Sequence, residues 1–410
     1  MRNAWALACA ITLAPAANAQ DLSYTDALER AASEGPTIVA RNAALEAATR
    51  GIGPAGALPD PELVLAIENV PATGPDRYRL GRDEMTMQRV GIMQEMPSLA
   101  ELGARRAMAR AEAERAGAGL ELGRLEARLG AAEAWIGLYY AERRVMVLER
   151  LTREAHASAE AARARLASGA GSVDEAIAAE VDAARFDDRG AEAAASVVAM
   201  RADLRRWIGE AADEPLSDAA PAFVIDAERL RHHLRRHPAF AAYDAEAAVA
   251  QAGLRAARAE RWPDWSWELS YGRRDAALED MASVEVRVGL PLFQAWRQEP
   301  LIDARRADVA RVGAERDATL REHEAMLEAG LAQHAALAAS AARAREVRLP
   351  LARRRAEAAA GAFAAGSSTS SALIAARRDA LEAELDLLAL EERLALTGAA
   401  LTLQYAETAQ

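Results

Sequence analysis

The chain contains no lysine; all 50 of its Lys and Arg positions are arginine. This excludes a Walker-type phosphate loop, which needs a lysine on the phosphates, and any Schiff-base chemistry. Cysteine is almost as scarce. The one cysteine, Cys9, lies near the N-terminus, too early for a lipid-attached residue, and it leaves no disulfide, thiolate metal site or cysteine nucleophile for the rest of the chain. Beyond the first residues no apolar run is long enough to cross a bilayer as a helix. A net charge of −12 supplies no basic surface for a phosphate backbone, so nucleic acid is excluded as a partner.

What is present begins with an export signal. Met1-Arg2-Asn3 is a short basic region, Ala4 to Leu13 an apolar one, and Ala17-Asn18-Ala19 a small-x-small site. The pattern predicts a signal peptide over 1–19, cleaved between Ala19 and Gln20. An exported chain without membrane helices is periplasmic, secreted or a β-barrel of an outer membrane.

The remainder reads as one unit duplicated: a first repeat at 20–208, a Pro/Gly/acidic linker at 209–222 and a second repeat at 223–410. In each, a short helix ends near a proline (Pro36, Pro238), and an alanine-rich helix ends at a Pro-Asp pair (Pro59-Asp60, Pro263-Asp264). Two strand-like segments follow, the second closed by Pro97 or Pro291. A very long helix then runs to a glycine turn, and a return helix completes the unit. The turns "LASGAGS" and "AAGSSTS" are in register, Gly169 and Gly366 lying 197 positions apart (366 − 169).

The strand segments alternate. Trp265, Trp267, Leu269 and Tyr271 oppose Ser266, Glu268, Ser270 and Gly272; Val284, Val286, Val288 and Leu290 oppose Ser283, Glu285, Arg287 and Gly289; Leu63, Leu65 and Ile67 oppose Glu62, Val64, Ala66 and Glu68; Val90 and Ile92 are set against Arg89, Gly91 and Glu95. One apolar and one polar face fit a half-buried sheet of a soluble domain. With aromatic residues clustered at strand ends (Trp262, Trp265, Trp267, Tyr271), they fit a membrane barrel as well. Four strands cannot close a barrel, and an open edge in lipid is prohibitive, so a membrane reading requires several chains. The helix predicted from Ala104 to Ser168 would reach about 95 to 100 Å at 1.5 Å per residue. Leu122, Leu125, Leu129, Ala132, Ile136 and Tyr139 give it a coiled-coil seam, as Leu387, Leu390, Leu394, Thr397 and Leu401 give the second return helix. Pro350 predicts a kink in the second long helix.

No catalytic constellation emerges, and no cofactor or metal site is expected. His233 and His237 stand four apart, as on one helical face, but Arg231, Arg235 and Arg236 repel a cation. Met85, Met87, Met93 and Met96 read as apolar filler. Asp187-Asp188 and Glu391-Glu392 read as solvated helix faces. The chain is not expected to be an enzyme.

The signal, the duplicated strand pair with its helical hairpin, the Pro-Asp landmarks and the glycine turns together resemble the outer membrane efflux protein (TolC) family, over about Leu22 to Tyr405. Gln94, Glu95, Met96, Pro97, Gly103, Arg105 and Arg106 are most similar to the channels of heavy-metal and other cation RND efflux systems. The resemblance implies a mainly α fold with a small β part: long α-helical hairpins forming a periplasmic α-barrel, and four strands per chain contributed to a shared trimeric outer-membrane β-barrel. It implies a homotrimer in outer-membrane lipid, fed by a periplasmic adaptor (membrane fusion) protein and an inner-membrane RND pump, and conducting cargo passively. It places the periplasmic tips, where the adaptor docks, at Leu166, Gly169 and Ser172 and at Phe363, Gly366 and Thr369. Some members hold acidic gate residues after the second tip; here those positions are Ala372 and Ala375, and Asp174 and Glu175 follow the first tip instead. Ser266, Glu268, Ser283, Glu285 and Arg287 would line the barrel lumen. Drug efflux, type I protein secretion and a soluble periplasmic coiled-coil scaffold remain as alternatives.

Overall fold

The computed structural model describes residues 21–80, 83–217, 219–274 and 278–406. The expected signal peptide and its cleavage site at Ala19 and Gln20 lie outside them. The element order runs twice through helix, helix, strand, strand, long helix and return helix. In the first pass these are α1 (Tyr24–Glu34), α2 (Pro36–Ala55), β1 (Glu62–Glu68), β2 (Met87–Met96), α3 (Leu99–Ala167) and α4 (Val173–Ile208). In the second they are α5 (Ala227–His233), α6 (Pro238–Ala259), β3 (Trp265–Arg273), β4 (Met281–Val288), α7 (Gln294–Arg343) continued by α8 (Leu349–Ala364), and α9 (Ser370–Tyr405).

Prolines mark the starts. Pro36 and Pro238 each occupy the first turn of their helix, where the missing N–H costs nothing. The kink expected at Pro350 takes a different form. A π-helical turn, Ala344–Arg348, lies between α7 and α8, and Pro350 sits in the first turn of α8. Pro300, unremarked in the sequence, lies inside α7. Among the described residues no helix is long and apolar enough to cross a membrane.

The chain divides into two compact units that cut across the repeats. One comprises residues up to 31, 127–224 and 334–400, with both glycine turns. Its packing centres on Trp135, which is fully buried, stacks on Tyr139 at 5.3 Å and donates its indole N–H to the Leu22 carbonyl at 3.2 Å. The expected linker is tied in here, for Leu22 and Leu216 form a parallel bridge. Nearer the first turn, Leu148, Leu151, Ala155 and Ala159 of α3 pack on Ala183 and Phe186 of α4. Alanine at these positions lets the helix axes approach closely. The acidic pair Glu391-Glu392, expected to be solvated, is instead engaged between helices, Glu391 with Arg345 at 2.7 Å and Glu392 with Arg144.

The other unit comprises 32–126, 225–333 and residues from 401 on, and holds the sheet. Leu230, Leu234, Leu327, Leu401 and Tyr405 form its helical core. The expectation that His233 and His237 share a helical face is overturned. α5 stops at His233, a 3-10 turn follows, and His237 becomes the N-cap of α6, its Nδ1 accepting the Ala239 N–H at 3.1 Å. The residue before a proline is pushed out of the helical region, so the helix cannot run through.

Candidate functional site

The four strands form one antiparallel sheet in the order β1-β2-β3-β4. Its register sorts the side chains cleanly. Leu63, Ile92, Leu269 and Val284 form one rung, and Leu65, Val90 and Tyr271 the next on the same face. On the opposite face Glu268 stands between Met93 and Glu285, Ser270 between Gly91 and Ser283, and Ser266 beside Arg287. The five residues expected to line a lumen are thus brought together on a single face.

Burial is inverted relative to a soluble sheet. Leu63, Leu65, Ile67, Leu269, Val284 and Val286 are each more than half exposed, whereas Glu268 is only 3% exposed and Ser270 4%. Leaving one such aliphatic side chain in water forgoes about 1.5–3 kcal/mol. A contiguous face of them is a surface that soluble monomers rarely carry. The charges on the other face are mutually compensated. Arg89 binds Glu268 at 2.8 Å and Glu68 at 2.9 Å, while Arg287 reaches Glu285 at 2.6 Å and Glu268 at 3.5 Å. Withdrawing a carboxylate from water costs several kcal/mol unless it is paired in this way. Among the described residues, the outer sides of β1 and β4 carry no partner strand.

The strand-to-helix junctions explain the Pro-Asp landmarks. Asp264 accepts the Ser98 N–H on its side chain and the Gly289 N–H on its carbonyl, both at 2.8 Å, clamping the exits of β2 and β4. Gln94 donates to the Pro59 carbonyl at 2.7 Å, Arg105 pairs with Glu101, and Arg106 Nη2 lies 3.4 Å from the Gly56 carbonyl. The Gln94–Arg106 segment therefore works as a junction.

The two glycine turns are built alike. Gly169 has φ +75° and Gly366 φ +71°, the left-handed conformation that ends a helix sharply. Ala170 N–H donates to the Arg165 carbonyl and Ser367 N–H to the Ala362 carbonyl, each at 2.9 Å; Gly169 and Gly366 donate to Leu166 and Phe363, each at 3.0 Å. Ser172 then caps α4 by accepting the Glu175 N–H at 3.1 Å, and Thr369 does the same for Ala372 at 3.3 Å. Of the six residues expected at the tips, Gly169, Ser172, Gly366 and Thr369 fall in the turns, and Leu166 and Phe363 close the last turns of α3 and α8. Asp174 is exposed, while Glu175 faces Arg165 of its own hairpin at 3.5 Å. The second turn has Ala362 and Ala372 at the matching positions and no such pair.

A cleft of about 450 Å³ opens beside the first turn, lined by Arg165, Asp174, Phe186, Thr369, Arg377 and Arg378 among others. The sequence reading missed Phe186 and the two arginines. The adjacent Arg377-Arg378, placed shortly after a turn, was the available signal.

No family model and no curated protein matches this sequence. Solved structures do match over nearly its whole length. The outer membrane protein VceC of Vibrio cholerae has 18% identity, covering 93% of this chain and 96% of its own, with a TM-score of 0.73. The CmeC outer membrane channel of Campylobacter jejuni has 12% identity, 93% and 85% coverage, and a TM-score of 0.79. This chain has the fold of the outer-membrane efflux channels. The open state of the MtrE outer membrane channel of Neisseria gonorrhoeae is similar too, at 16% identity, 93% and 88% coverage and a TM-score of 0.74. Within this channel fold, the inverted sheet and the paired turns are the features with a use to explain.

Proposed function

We propose that this protein is the outer-membrane channel of a tripartite efflux system, conducting cargo passively from an inner-membrane RND pump and a periplasmic adaptor to the exterior. Three copies each contribute four strands to one barrel, with the apolar face in lipid and Ser266, Glu268, Ser283, Glu285 and Arg287 facing water. The helical hairpins extend into the periplasm, and their turns, around Gly169 and Gly366, receive the adaptor. The observation that carries this reading is the sheet, exposed on its apolar face, charged and internally paired on its polar face, and open at both edges. A bilayer satisfies the first, an aqueous lumen the second, and neighbouring copies the third. A soluble scaffold leaves all three unaccounted for.

The test is fractionation of the full chain. It should stay with the outer membrane, require detergent for release, and run as three copies on a native gel. A chain recovered in the soluble periplasm after osmotic shock would end this reading. For the cargo we take metal cations, supported by the resemblance of the Gln94–Arg106 segment to the channels of cation efflux systems. A deletion strain with lowered metal tolerance is the expected result. Unchanged metal tolerance with raised drug sensitivity would replace metal by drug efflux.

A further inference from the structure

The second hairpin carries an arginine-lined cleft that passive conduction does not use. It lies between the junction of α7 with α8 on one side and α9 on the other, within the hairpin-bearing unit, and has a volume of about 640 Å³. Arg343 and Arg348 line it from the first side and Arg393 from the second. Among the described residues, Asp386 is the one acid in its lining, and Val347 and Leu390 add an apolar strip. Three guanidinium groups against one carboxylate make a positive cleft on a chain whose net charge is −12.

The charges around this cleft are matched, while those lining it are not. Arg345 pairs with Glu391 at 2.7 Å, Arg353 with Glu384 at 3.2 Å and Arg355 with Asp379 at 2.9 Å, each across to α9. Arg343, Arg348, Arg393 and Asp386 form no ion pair among the described residues, and Arg343 donates instead to the Ser340 hydroxyl at 3.2 Å. The π-helical turn accounts for the convergence. On an uninterrupted α-helix, residues five apart point about 140° away from one another. Between Arg343 and Arg348, however, the Leu349 N–H donates to the Ala344 carbonyl five residues back, and this wider turn brings residues five apart into line. Pro350, which has no N–H and crowds the carbonyl four residues before it, favours the wider turn at this point. On α9, Asp386, Leu390 and Arg393 follow at intervals of four and three, along one face.

We propose that this cleft binds an organic oxyanion, a phosphate or sulfate group carried on an apolar body. A guanidinium presents a planar fork that grips two oxygens at once, and such charge-assisted bonds are the strong ones. Forks arriving from two helices suit an oxygen-rich group, while Val347 and Leu390 suit the body that carries it. The same set repels a cation, so this ligand is distinct from the metal cargo. The site stands whether or not the chain is a channel.

The test titrates naphthyl phosphate into the purified full chain in a non-ionic detergent, with binding read by equilibrium dialysis. Arg343→Gln, Arg348→Gln and Arg393→Gln should each weaken binding about tenfold, at an unchanged melting temperature. Arg354 is also exposed and without an ion pair among the described residues, but it lies outside the cleft. Arg354→Gln should therefore leave the affinity unaltered. An equal loss in Arg354→Gln would reduce the effect to overall charge and overturn the proposal. So would equal binding of neutral naphthol, or no binding of naphthyl phosphate at all. A short-chain phosphatidylglycerol separates two sources of the same chemistry. Displacement of the probe at equal concentration supports the site with a lipid headgroup as its ligand, and a failure to displace supports a free organic anion.

Discussion

At the scale of single residues the most telling group is His237. Its ring lies 4.3 Å from that of His323, is bordered by Phe240 and Tyr405, and is 6% exposed. Burial, helped by the neighbouring His323, lowers its pKa to about 4. His323, which lies 3.2 Å from the Tyr405 hydroxyl, is also lowered by burial, with Glu322 opposing. Between the ordinary histidine value of 6.5 and about 4, the unfolded chain binds a proton that the folded chain refuses. The stability tied to His237 is therefore complete above pH 6.5 and is lost as pH falls toward 4. The melting temperature should be lower at pH 4.5 than at 7.5. His237→Asn, which keeps an acceptor for the Ala239 N–H, should flatten that slope, and an unchanged slope would mean that other groups set it. A second residue-scale expectation concerns Arg89. Arg89→Ala leaves Glu268 with only the longer Arg287 contact and should destabilise the chain by about 3 kcal/mol, measured as a shift in denaturation midpoint. Neither role was legible in the sequence. Pro238 could have told that His237 begins a helix, but no one-dimensional pattern shows His323 arriving from a helix far along the chain.

At the scale of elements the sequence was far more legible, because periodicity is local. Alternation identified all four strands and sorted Leu269 from Glu268 correctly. The glycine turns, recognised by their 197-residue offset, proved to share hydrogen bonds as well as residue types. What escaped was set by partners. The π-helical turn before Pro350 and the engagement of Glu391 and Glu392 depend on facing helices that a single-helix reading does not contain. Two expectations belong here. Leu269→Arg puts a charge on the lipid face and should cost about 2–4 kcal/mol at mid-bilayer, whereas Ser283→Arg on the opposite face should be tolerated. Outer-membrane yield of the two variants compares them directly, and equal yields would contradict the assignment of faces. Gly366→Val meets no atom within 4 Å of its new Cβ, but it forces a branched side chain to φ +71°. A cost of about 1–2 kcal/mol should leave the assembly in the membrane while abolishing efflux. Loss of the assembly instead would confine this glycine to folding.

At the scale of the whole molecule, duplication and spatial division disagree in an informative way. The sequence divides the chain end to end, yet each compact unit draws on both repeats. Long helices make this unavoidable, since α3 gives its first part to the sheet-bearing unit and the rest to the other. In the proposed three-copy barrel, substitutions in the polar face are multiplied by symmetry. Glu285→Arg places three new cations in one ring, and in a planar bilayer it should move ion preference toward anions; an unchanged preference would place this face outside the lumen. The unpaired edges of β1 and β4 have a genetic consequence. In the proposed ring of three, a copy with a damaged edge still offers its intact one, so it joins a ring and spoils it. Expressed equally with the normal copy and mixing at random, it should leave roughly one ring in eight intact. The damaged allele is then dominant, while a simple deletion is recessive.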